Sequence, residues 1–573
     1  MLRNSSFGKW LNHVQPRCGQ SQQSTLDSPV EGNFSLPPYE MEDTKKENIA
    51  NLFEKLDVSG EEVYVLALDI GTTMIRAYVY DRNINIVGSF HTKAKLLHPQ
   101  PTFCEIEPDT LYNQVLYCLD GCIKDSGLTY SQITCMGMAT QRNTFITWDR
   151  ETGKPFHNFI TWQDLRGKEY VKDWNHSYTM KALNTGAKLL HTFTRSPRHL
   201  AASVLRFLSP QVTMRLKWLL NHNELLKDRL YQNQVLFGCI DTWLLWKLTA
   251  GRVHATDYSC ASSTGLFDPF QMEWSSVVCK LLDIPMTIFP ELKDTSGLFG
   301  RCDPQILGAA IPITGIVADQ QGAMFGDCCY TVGDVKCTMG SGTFIDLNTG
   351  NQPHASIAGL YPLVGWKIGS ELVFIAEGVS SDSGCVLEWA KSLSIFEEES
   401  KLADIAESVP DNGGVYFVAA FSGLQAPIND DTAVTTMIGM TPNTAKAHVV
   451  RAILESLAFR FKLLYETMLT ETKLPISSVR VNGGVSNNRF VLQLMSDLTS
   501  QVIEKSKFTD MTNLGVAFLA GLGHGIWKCK EELFKLRGCD RVYTPQKKWN
   551  KYKNIFRTWE RAVNRSKKWY SQQ

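Results

Sequence analysis

The sequence predicts an α/β protein with two large domains on either side of a cleft. With 573 residues, the chain is longer than a single hydrophobic core usually supports, which favours two domains. From about residue 62, short β-rich runs alternate with amphipathic segments, a pattern typical of α/β domains. Residues 66–81 and 336–350 also share one plan, namely an apolar strand, a turn of glycine and hydroxyl residues, and a second strand. We therefore expect each domain to present one such hairpin to the cleft.

The domain boundaries follow from the same patterns. Residues 1–60 are polar, carry a proline pair and show little periodicity, which predicts a disordered N-terminal extension. Residues 61–328 are expected to form the first domain and residues 329–573 the second. In this division the first domain holds the substrate and one hairpin, and the second holds ATP, the other hairpin and a terminal helix.

The first hairpin lies among three predicted strands. The runs "VYVLALDI", "MIRAYVY" and "INIVGSFH" are apolar and rich in β-branched and aromatic residues. The turn residues "GTT" and "DRN" separate them. We therefore expect three successive strands.

Four segments nearer the C-terminal end are predicted to be helical. "AHVVRAILESLAFRFKLLYETML" places Val449, Ile453, Leu457 and Phe461 at helical spacing, and a strand is expected in "LPISSVRVNGG". "NRFVLQLMSDLTSQVI" and "TNLGVAFLAGLGHGIW" are the next two predicted helices, and the second carries small residues suited to close packing. "KWNKYKNIFRTWERAVNRSKKWY" is expected to form a terminal amphipathic helix.

Composition excludes several classes of protein. The 58 lysines and arginines balance 58 acids, so no overall positive field attracts nucleic acid or an anionic membrane. The 15 cysteines form no CxxC pair, which argues against a zinc module or a disulfide framework and favours a reducing compartment. No apolar run approaches the roughly 20 residues of a membrane-spanning helix. A cytoplasmic protein is expected, although residues 1–24, basic and without acids, also resemble a mitochondrial presequence.

The two hairpin turns are candidates for phosphate binding. Gly71–Thr73 and Gly340–Thr343 offer unhindered backbone N–H groups and hydroxyl donors. Neither turn is a Walker loop, and neither is a dinucleotide fingerprint, because a strand rather than a helix follows. A pair of ordinary hairpins is the alternative.

Two carboxylates lie where strands are expected to end. Asp69 precedes the first turn by two residues, and it is suited to hold Mg²⁺ through water beside the phosphates. It could instead bond the backbone of its own turn. Asp319, in "GIVADQQGAMFG", could accept a proton from a substrate hydroxyl while Gln320 orients that substrate. Its alternative role is a helix N-cap.

A third group of residues fits a small polyol. Arg142 in "ATQRNTF" could supply a polar fork, and Trp162 in "TWQDLR" could supply an apolar wall. Arg142 could equally belong to a structural ion pair.

In the order and spacing of its motifs, the chain from about residue 62 to 570 resembles the FGGY family of carbohydrate kinases, and within it the glycerol kinases. The motifs are "ALDIGTT", "QRNTFITWDRETGKPFHNFITWQDLR", "FGCIDTWLLWKLTAGRVHATDYSCASSTGLFD", "GIVADQQGAMFG", "TMGSGTF", "GLQAP", "RAILESLAF" and "NGGVSNN". The resemblance implies two ribonuclease H-like domains of the actin and Hsp70 type, which close on ATP and a sugar alcohol. It also implies transfer of a phosphoryl group from ATP to glycerol, giving sn-glycerol 3-phosphate.

The resemblance further implies roles for individual residues. Asp319 would be the general base, and Asp69 would serve Mg²⁺ through water. Contacts to ATP would come from Thr72, Thr73, Arg76, Gly340, Ser341, Gly342, Thr343, Gly384, Glu388, Gly483, Gly484 and Asn488. The alcohol pocket would contain Arg142, Asn143, Trp162, Asp319, Gln320 and Phe344.

The chain departs from the family pattern mainly in the alcohol pocket. Asn143 stands where glycerol kinases have Glu, and Ser209 aligns with an aromatic residue that packs near the polyol. At the nucleotide site Glu388 replaces a Gln, and the shorter "NGGVSNN" leaves a choice between Asn488 and Asn487.

Two alternative functions therefore stay open, a kinase for another small polyol or sugar and a nucleotide-binding regulatory protein with little turnover. An actin-like or chaperone ATPase is disfavoured, because it needs no "ADQQ" or "WQDLR" pocket. A small-molecule substrate and a homodimer are the expected partners.

Overall fold

A mixed β-sheet from the first half of the chain forms one framework of the computed structural model, which describes residues 62–572. The predicted extension 1–60 lies outside the described residues. The sheet contains β1 (Tyr64–Ile70), β2 (Met74–Asp81), β3 (Ile86–Lys93), β4 (Cys135–Thr140), β5 (Ser296–Arg301) and β6 (Pro312–Ala318). Its strand order is β5-β6-β4-β1-β2-β3, and β1, β4 and β6 run parallel while the other pairs are antiparallel.

The three strands predicted around the first turn are present. β1 is buried over nearly its whole length, as expected for a strand covered on both faces of a sheet. The third strand begins at Ile86 rather than Ile84, because Ile84 adopts a left-handed backbone conformation with φ 60° in the preceding turn.

A second sheet from the other half repeats this arrangement. It contains β7 (Asp334–Met339), β8 (Thr343–Gly350), β9 (Tyr361–Ile368), β10 (Glu371–Ser380), β11 (Ser478–Asn482), β12 (Ile503–Ser506) and β13 (Cys539–Tyr543). Its order is β9-β10-β8-β7-β11-β12-β13, with β7, β11 and β12 parallel. Without β9, and counted from its β13 edge, this sheet has the same strand order and directions as the first sheet. The repeat predicted from the two hairpins therefore extends to whole sheets.

Eight helices matter for the argument below. They are α1 (Pro108–Ser126), α2 (Val212–His222), α3 (Asp319–Gly326), α4 (Gly384–Ser392), α5 (Lys446–Thr472), α6 (Arg489–Thr499), α7 (Met511–His524) and α8 (Lys553–Ser566). The four helices predicted near the C-terminal end are α5 to α8. The second of these helices, predicted for "NRFVLQLMSDLTSQVI", is wrong at its end, because Ser500 is left-handed with φ 57° and Ile503 already begins β12.

Helix α7 packs on the first sheet although it comes from the second half of the chain. Its residues from Leu514 to Gly521 are buried. A Cβ on Gly515 would lie 1.8 Å from the carbonyl oxygen of Gly322 in α3, so only glycine permits this approach. The small residues noted in the sequence therefore bring the start of α7 beside β2.

Shorter elements complete the described chain. Further strands are Glu105–Ile106, Phe145–Asp149, Phe159–Ile160, Val235–Cys239, Ala255–Asp257, Phe267–Asp268, Glu273–Trp274, Glu291–Lys293, Tyr416–Val418 and Thr436–Ile438. Further α-helices are Lys168–His176, Tyr178–Thr194, Pro197–Ser203, Glu224–Tyr231, Ile240–Leu248, Tyr258–Ser263, Ser276–Leu282, Pro304–Leu307, Leu402–Glu407 and Lys530–Arg537. Short 3₁₀ turns are Tyr130–Gln132, Met286–Ile288, Glu399–Lys401, Gly484–Asn487, Trp549–Lys551 and Trp569–Gln572. Among the helices of residues 62–572, none is both long and apolar enough to cross a membrane.

Candidate active site

The first hairpin carries a chain of alternating charges. Asp69, near the end of β1, faces Arg76 across the β1–β2 pair, and the Arg76 guanidinium lies 3.5 Å from the Asp69 carboxylate. The same guanidinium lies 3.5 Å from Asp510, which also accepts a hydrogen bond of 2.7 Å from the Tyr78 hydroxyl. Asp510 directly precedes α7, so a residue from the second half of the chain holds Arg76 in place.

Asp69 is a buried acid with unused bonding capacity. It is 6% exposed, and its Oδ1 atom has no hydrogen-bond partner among the residues that the structure describes. Burial raises the pKa of Asp69 to about 7, against the opposing effect of Arg76, and the charges of Asp319 and Asp510 raise it further. A buried carboxylate oxygen without a partner is suited to meet a cation.

The first turn contacts the predicted alcohol pocket. The Trp162 indole N–H donates a hydrogen bond of 3.0 Å to the Thr72 hydroxyl. Gln141, at the end of β4, donates to the carbonyl oxygen of Gly71 at 3.2 Å and accepts from the Thr72 hydroxyl at 3.4 Å. Thr73 is exposed. Trp162 and Gln141 thus hold the turn from two sides, while Thr73 faces solvent.

Asp319 is the first residue of α3 and does not cap that helix. Ala318 occupies the N-cap position, and the Asp319 carboxylate accepts only the N–H of its neighbour Gln320, at 2.8 Å. The Arg142 guanidinium lies 3.5 Å from it. Burial raises the pKa of Asp319, and Arg142 opposes this change. A carboxylate with a raised pKa and free lone pairs is a good proton acceptor.

Arg142 joins the two halves of the chain. It forms an ion pair of 2.8 Å with Glu377 on β10, and its guanidinium lies over the Phe344 ring on β8 at 5.8 Å. Glu377 is 3% exposed, and burial raises its pKa to about 7 against the effect of Arg142. The ion pair with Glu377 agrees with the structural interpretation of Arg142, and the same guanidinium also lies beside Asp319. Its contact with a polyol stays a prediction.

Gln320 is oriented by a second buried ion pair. The Lys336 ammonium on β7 donates to the Gln320 side-chain oxygen at 2.6 Å and to Asp346 on β8 at 2.9 Å. Lys336 and Asp346 are both fully buried. Sequence reasoning missed Glu377, Lys336 and Asp346. The signal that identified Asp69, a charge within an apolar strand, was present for all three in "DVKCTM", "TFIDLN" and "VFIAEGVS".

The second turn is closely packed against α4. The Gly384 N–H donates to the carbonyl oxygen of Gly340 at 2.9 Å, and a Cβ on Gly384 would lie 2.6 Å from that oxygen. The Thr343 hydroxyl donates to Ser383 at 3.0 Å. Gly483, with φ 88°, packs on Met339 at the end of β7. The structure therefore brings together Gly340, Ser341, Gly342, Thr343, Gly384 and Gly483.

Four other predicted residues have fewer contacts. Glu388 and Gly484 are exposed, and a Cβ on Gly484 would meet no atom within 4 Å. The Asn488 side chain accepts the Val491 N–H at 3.2 Å and so caps α6. Asn143 is left-handed with φ 63°, and its buried Oδ1 has no hydrogen-bond partner within residues 62–572.

The buried, unpartnered carboxylate oxygen of Asp69 has the chemistry that a magnesium ion prefers in its ligands. Within the part of the chain that the structure describes, no group of three or more His, Cys, Asp or Glu residues is placed to hold a metal. Mg²⁺ does not need such a cage, because it usually keeps several waters and takes one or two carboxylates plus phosphate oxygens.

Two family models match consecutive parts of the chain, the N-terminal domain of the FGGY family of carbohydrate kinases at residues 64–326 and its C-terminal domain at residues 335–524. The chain belongs to the FGGY family of carbohydrate kinases. Its similarity to "Glycerol kinase 5" of Danio rerio is 49% identity over 90% of this chain and 98% of that protein. The protein of the same name from Bos taurus is 50% identical over 88% of this chain and 96% of its own length.

A solved relative has the same fold. The crystal structure of Plasmodium falciparum glycerol kinase with ADP superposes with a TM-score of 0.80 at 30% identity, covering 88% of this chain and 98% of that one. The predicted family is confirmed. The predicted fold of two ribonuclease H-like domains is confirmed as well, in agreement with the two sheets of matching strand order.

Proposed function

We propose that this FGGY kinase transfers the γ-phosphoryl group of ATP to a primary hydroxyl of glycerol, giving sn-glycerol 3-phosphate, in the cytoplasm. The observation that carries the proposal is the setting of Asp319, whose carboxylate lies 3.5 Å from Arg142 beside Gln320. The names of the relatives and the ADP in the Plasmodium structure support the choice of substrates.

In the proposed reaction Asp319 accepts the proton of the attacking hydroxyl, a step that typically contributes about 10² to 10⁴ in rate. Arg142 keeps that carboxylate oriented, and Gln320, held by Lys336, positions the alcohol. The two hairpin turns supply backbone N–H groups to the phosphates, where charge develops during transfer. Mg²⁺, when bound near Asp69, supplies charge neutralisation at the phosphate oxygens.

The remaining assignments belong to the same proposal. Residues 61–328 and 329–573 are proposed as the two domains. The residues predicted from the family motifs are proposed to bind nucleotide and alcohol in the roles given above.

One assay tests the proposal most directly. The purified protein is incubated with Mg-ATP and glycerol, dihydroxyacetone, or a series of pentoses and polyols, and the phosphorylated product is measured. Glycerol turnover well above the background ATPase supports the proposal, and its absence contradicts it.

A second candidate is a kinase for another small polyol or sugar. Asn143 favours it, because a neutral amide stands where glycerol kinases carry a charged acceptor. In the same assay this candidate predicts that another alcohol exceeds glycerol in kcat/KM. ATP binding without turnover of any acceptor would instead indicate a regulatory protein.

A further inference from the structure

Arg215 is a buried cation whose hydrogen bonds, within the described residues, all go to backbone carbonyls in the first half of the chain, while its guanidinium also lies over the Phe145 ring. It lies in α2 and is 1% exposed. Its guanidinium donates to five carbonyl oxygens from three separate segments. The acceptors are Asn143 at 3.0 Å, Ile160 at 3.2 Å, Thr161, Pro210 at 2.6 Å and Gln211 at 3.2 Å.

No acid neutralises this charge. Among the described residues, no carboxylate lies within ion-pair distance of Arg215, although Arg166 and Asp164 are near enough to affect its pKa in opposite directions. Burial lowers the pKa of Arg215 to about 10, so the group stays charged at neutral pH. The dipoles of the five bonded carbonyls must therefore compensate the charge. A planar guanidinium has the five N–H donors that these five hydrogen bonds need.

Each bonded segment adjoins the candidate alcohol pocket. Asn143 is itself a candidate pocket residue, Thr161 immediately precedes Trp162, and Pro210 immediately follows Ser209. Asn143 and Ser209 are the two positions in the alcohol pocket at which this chain departs from the glycerol kinase pattern. One side chain therefore ties together the segments that would distinguish one alcohol from another.

The backbone of Asn143 shows what this bond holds in place. Its φ of 63° is a conformation that non-glycine residues adopt at a cost and that asparagine tolerates better than most. The Arg215 guanidinium donates a hydrogen bond of 3.0 Å to the Asn143 carbonyl oxygen and so holds the strained backbone in place. Loss of this hydrogen bond would allow the Asn143 side chain to move.

We propose that Arg215 is a positioning residue that sets the shape of the alcohol pocket and thereby the choice among small polyols. The inference rests on the proposed function for its substrate class. Arg215 acts through Asn143, Trp162 and Ser209, and the second hairpin is outside its reach.

The test compares Arg215→Lys with the wild type. Lysine keeps the charge but has three donors on one atom, so it cannot bond to all five carbonyls. We expect the KM for the best alcohol to rise about tenfold to a hundredfold, as for the loss of charge-assisted hydrogen bonds. The KM for ATP should rise much less than that for the alcohol, because Arg215 bonds to the alcohol-pocket segments and reaches the first turn indirectly, through the Trp162–Thr72 bond. The preference for the best alcohol over other polyols should narrow.

Arg150→Lys is the matched control. Arg150 is exposed and donates to two backbone carbonyls, those of Asn233 and Thr287, each at 3.2 Å. Neither segment belongs to the candidate pocket, so this variant should leave both KM values and the alcohol preference unchanged. Equal rises in the KM for ATP and for alcohol in Arg215→Lys would indicate a merely structural role and overturn the inference.

Amide hydrogen exchange separates this inference from the proposed function. In Arg215→Lys, exchange should speed up in residues 141–144, 160–164 and 208–211 and stay unchanged in 340–343. Unchanged exchange in all four segments overturns the positioning role. Faster exchange in the first three segments, in a protein that phosphorylates no polyol, supports the positioning role and overturns only the assignment of the substrate.

Discussion

The indole N–H of Trp162 lies 3.0 Å from the hydroxyl oxygen of Thr72 and donates a hydrogen bond to it. Trp162 is a candidate wall of the alcohol pocket, and Thr72 is part of the candidate phosphate turn. The two residues are 90 positions apart in sequence. The pocket proposed for the alcohol, which accepts the phosphoryl group, and the turn proposed for the ATP phosphates are therefore joined by a direct hydrogen bond.

The first prediction concerns this bond. Trp162→Phe and Thr72→Val should each lower kcat/KM, and a double-mutant cycle should give a coupling of about 0.5–1.5 kcal/mol, the usual value for one hydrogen bond. Steady-state kinetics with both substrates varied measure it. Thr72→Ser keeps the hydroxyl and is the control that should behave like the wild type. Strictly additive effects would show that the bond does not couple the two sites.

The second prediction concerns the proton acceptor. Asp319→Asn should reduce kcat by about 10² to 10⁴, because an amide cannot take the hydroxyl proton. Nucleotide affinity, measured by calorimetry, should change little, since the carboxylate bonds only to Gln320 and lies near Arg142. Asp173→Asn, on the exposed face of a surface helix, is the control. Retained turnover in Asp319→Asn would remove Asp319 from the proposed role.

The third prediction concerns the packing of the second turn. Gly384→Ala places a Cβ 2.6 Å from the Gly340 carbonyl oxygen, so the turn or α4 must move. Overpacking of this kind usually costs about 1–3 kcal/mol, and we expect a lower free energy of unfolding together with weaker nucleotide binding. Urea denaturation and calorimetry measure the two effects. Gly186→Ala, where a Cβ meets no atom within 4 Å, should show neither loss.

The fourth prediction concerns Asp241, a buried acid away from the proposed chemistry. Its Oδ2 accepts a hydrogen bond from the Thr256 hydroxyl at 2.6 Å, while its Oδ1 has no hydrogen-bond partner in the described part of the chain. Burial raises the pKa of Asp241 to about 6 from 3.8, so the folded protein holds this proton more tightly than the unfolded chain. This contribution to stability is fully present below about pH 4 and is lost as the pH rises through about 6.

Asp241→Asn should remove that dependence. The free energy of unfolding of the variant, relative to the wild type, should increase by roughly 2 kcal/mol between pH 4 and pH 7. Urea denaturation of both proteins at several pH values measures the difference. Parallel stability curves would mean that Asp241 titrates normally in the folded protein.

The parts of the site that could be predicted are those with a local pattern. Asp69 and the Gly-Thr-Thr turn lie within one hairpin, and Asp319 directly follows an apolar strand, so neighbouring residues alone identify them. Asp510 could not be predicted in this way, because its partner Tyr78 is 432 positions away in sequence. Likewise, the bond by which Asn488 caps α6 appears only in the structure, and its place beside the nucleotide stays a prediction.

The sequence by itself determined the two hairpins, the repeat, the family and the two carboxylates, because each depends on residue type at short spacing or on the order of motifs. Only the tertiary structure decided which charges meet. Arg142 reaches Glu377, Lys336 reaches Gln320, and Arg215 collects five carbonyls. The physical reason is that burying a charge is costly without partners, and those partners come from whichever distant strands and loops the packing of the two sheets brings within hydrogen-bond distance.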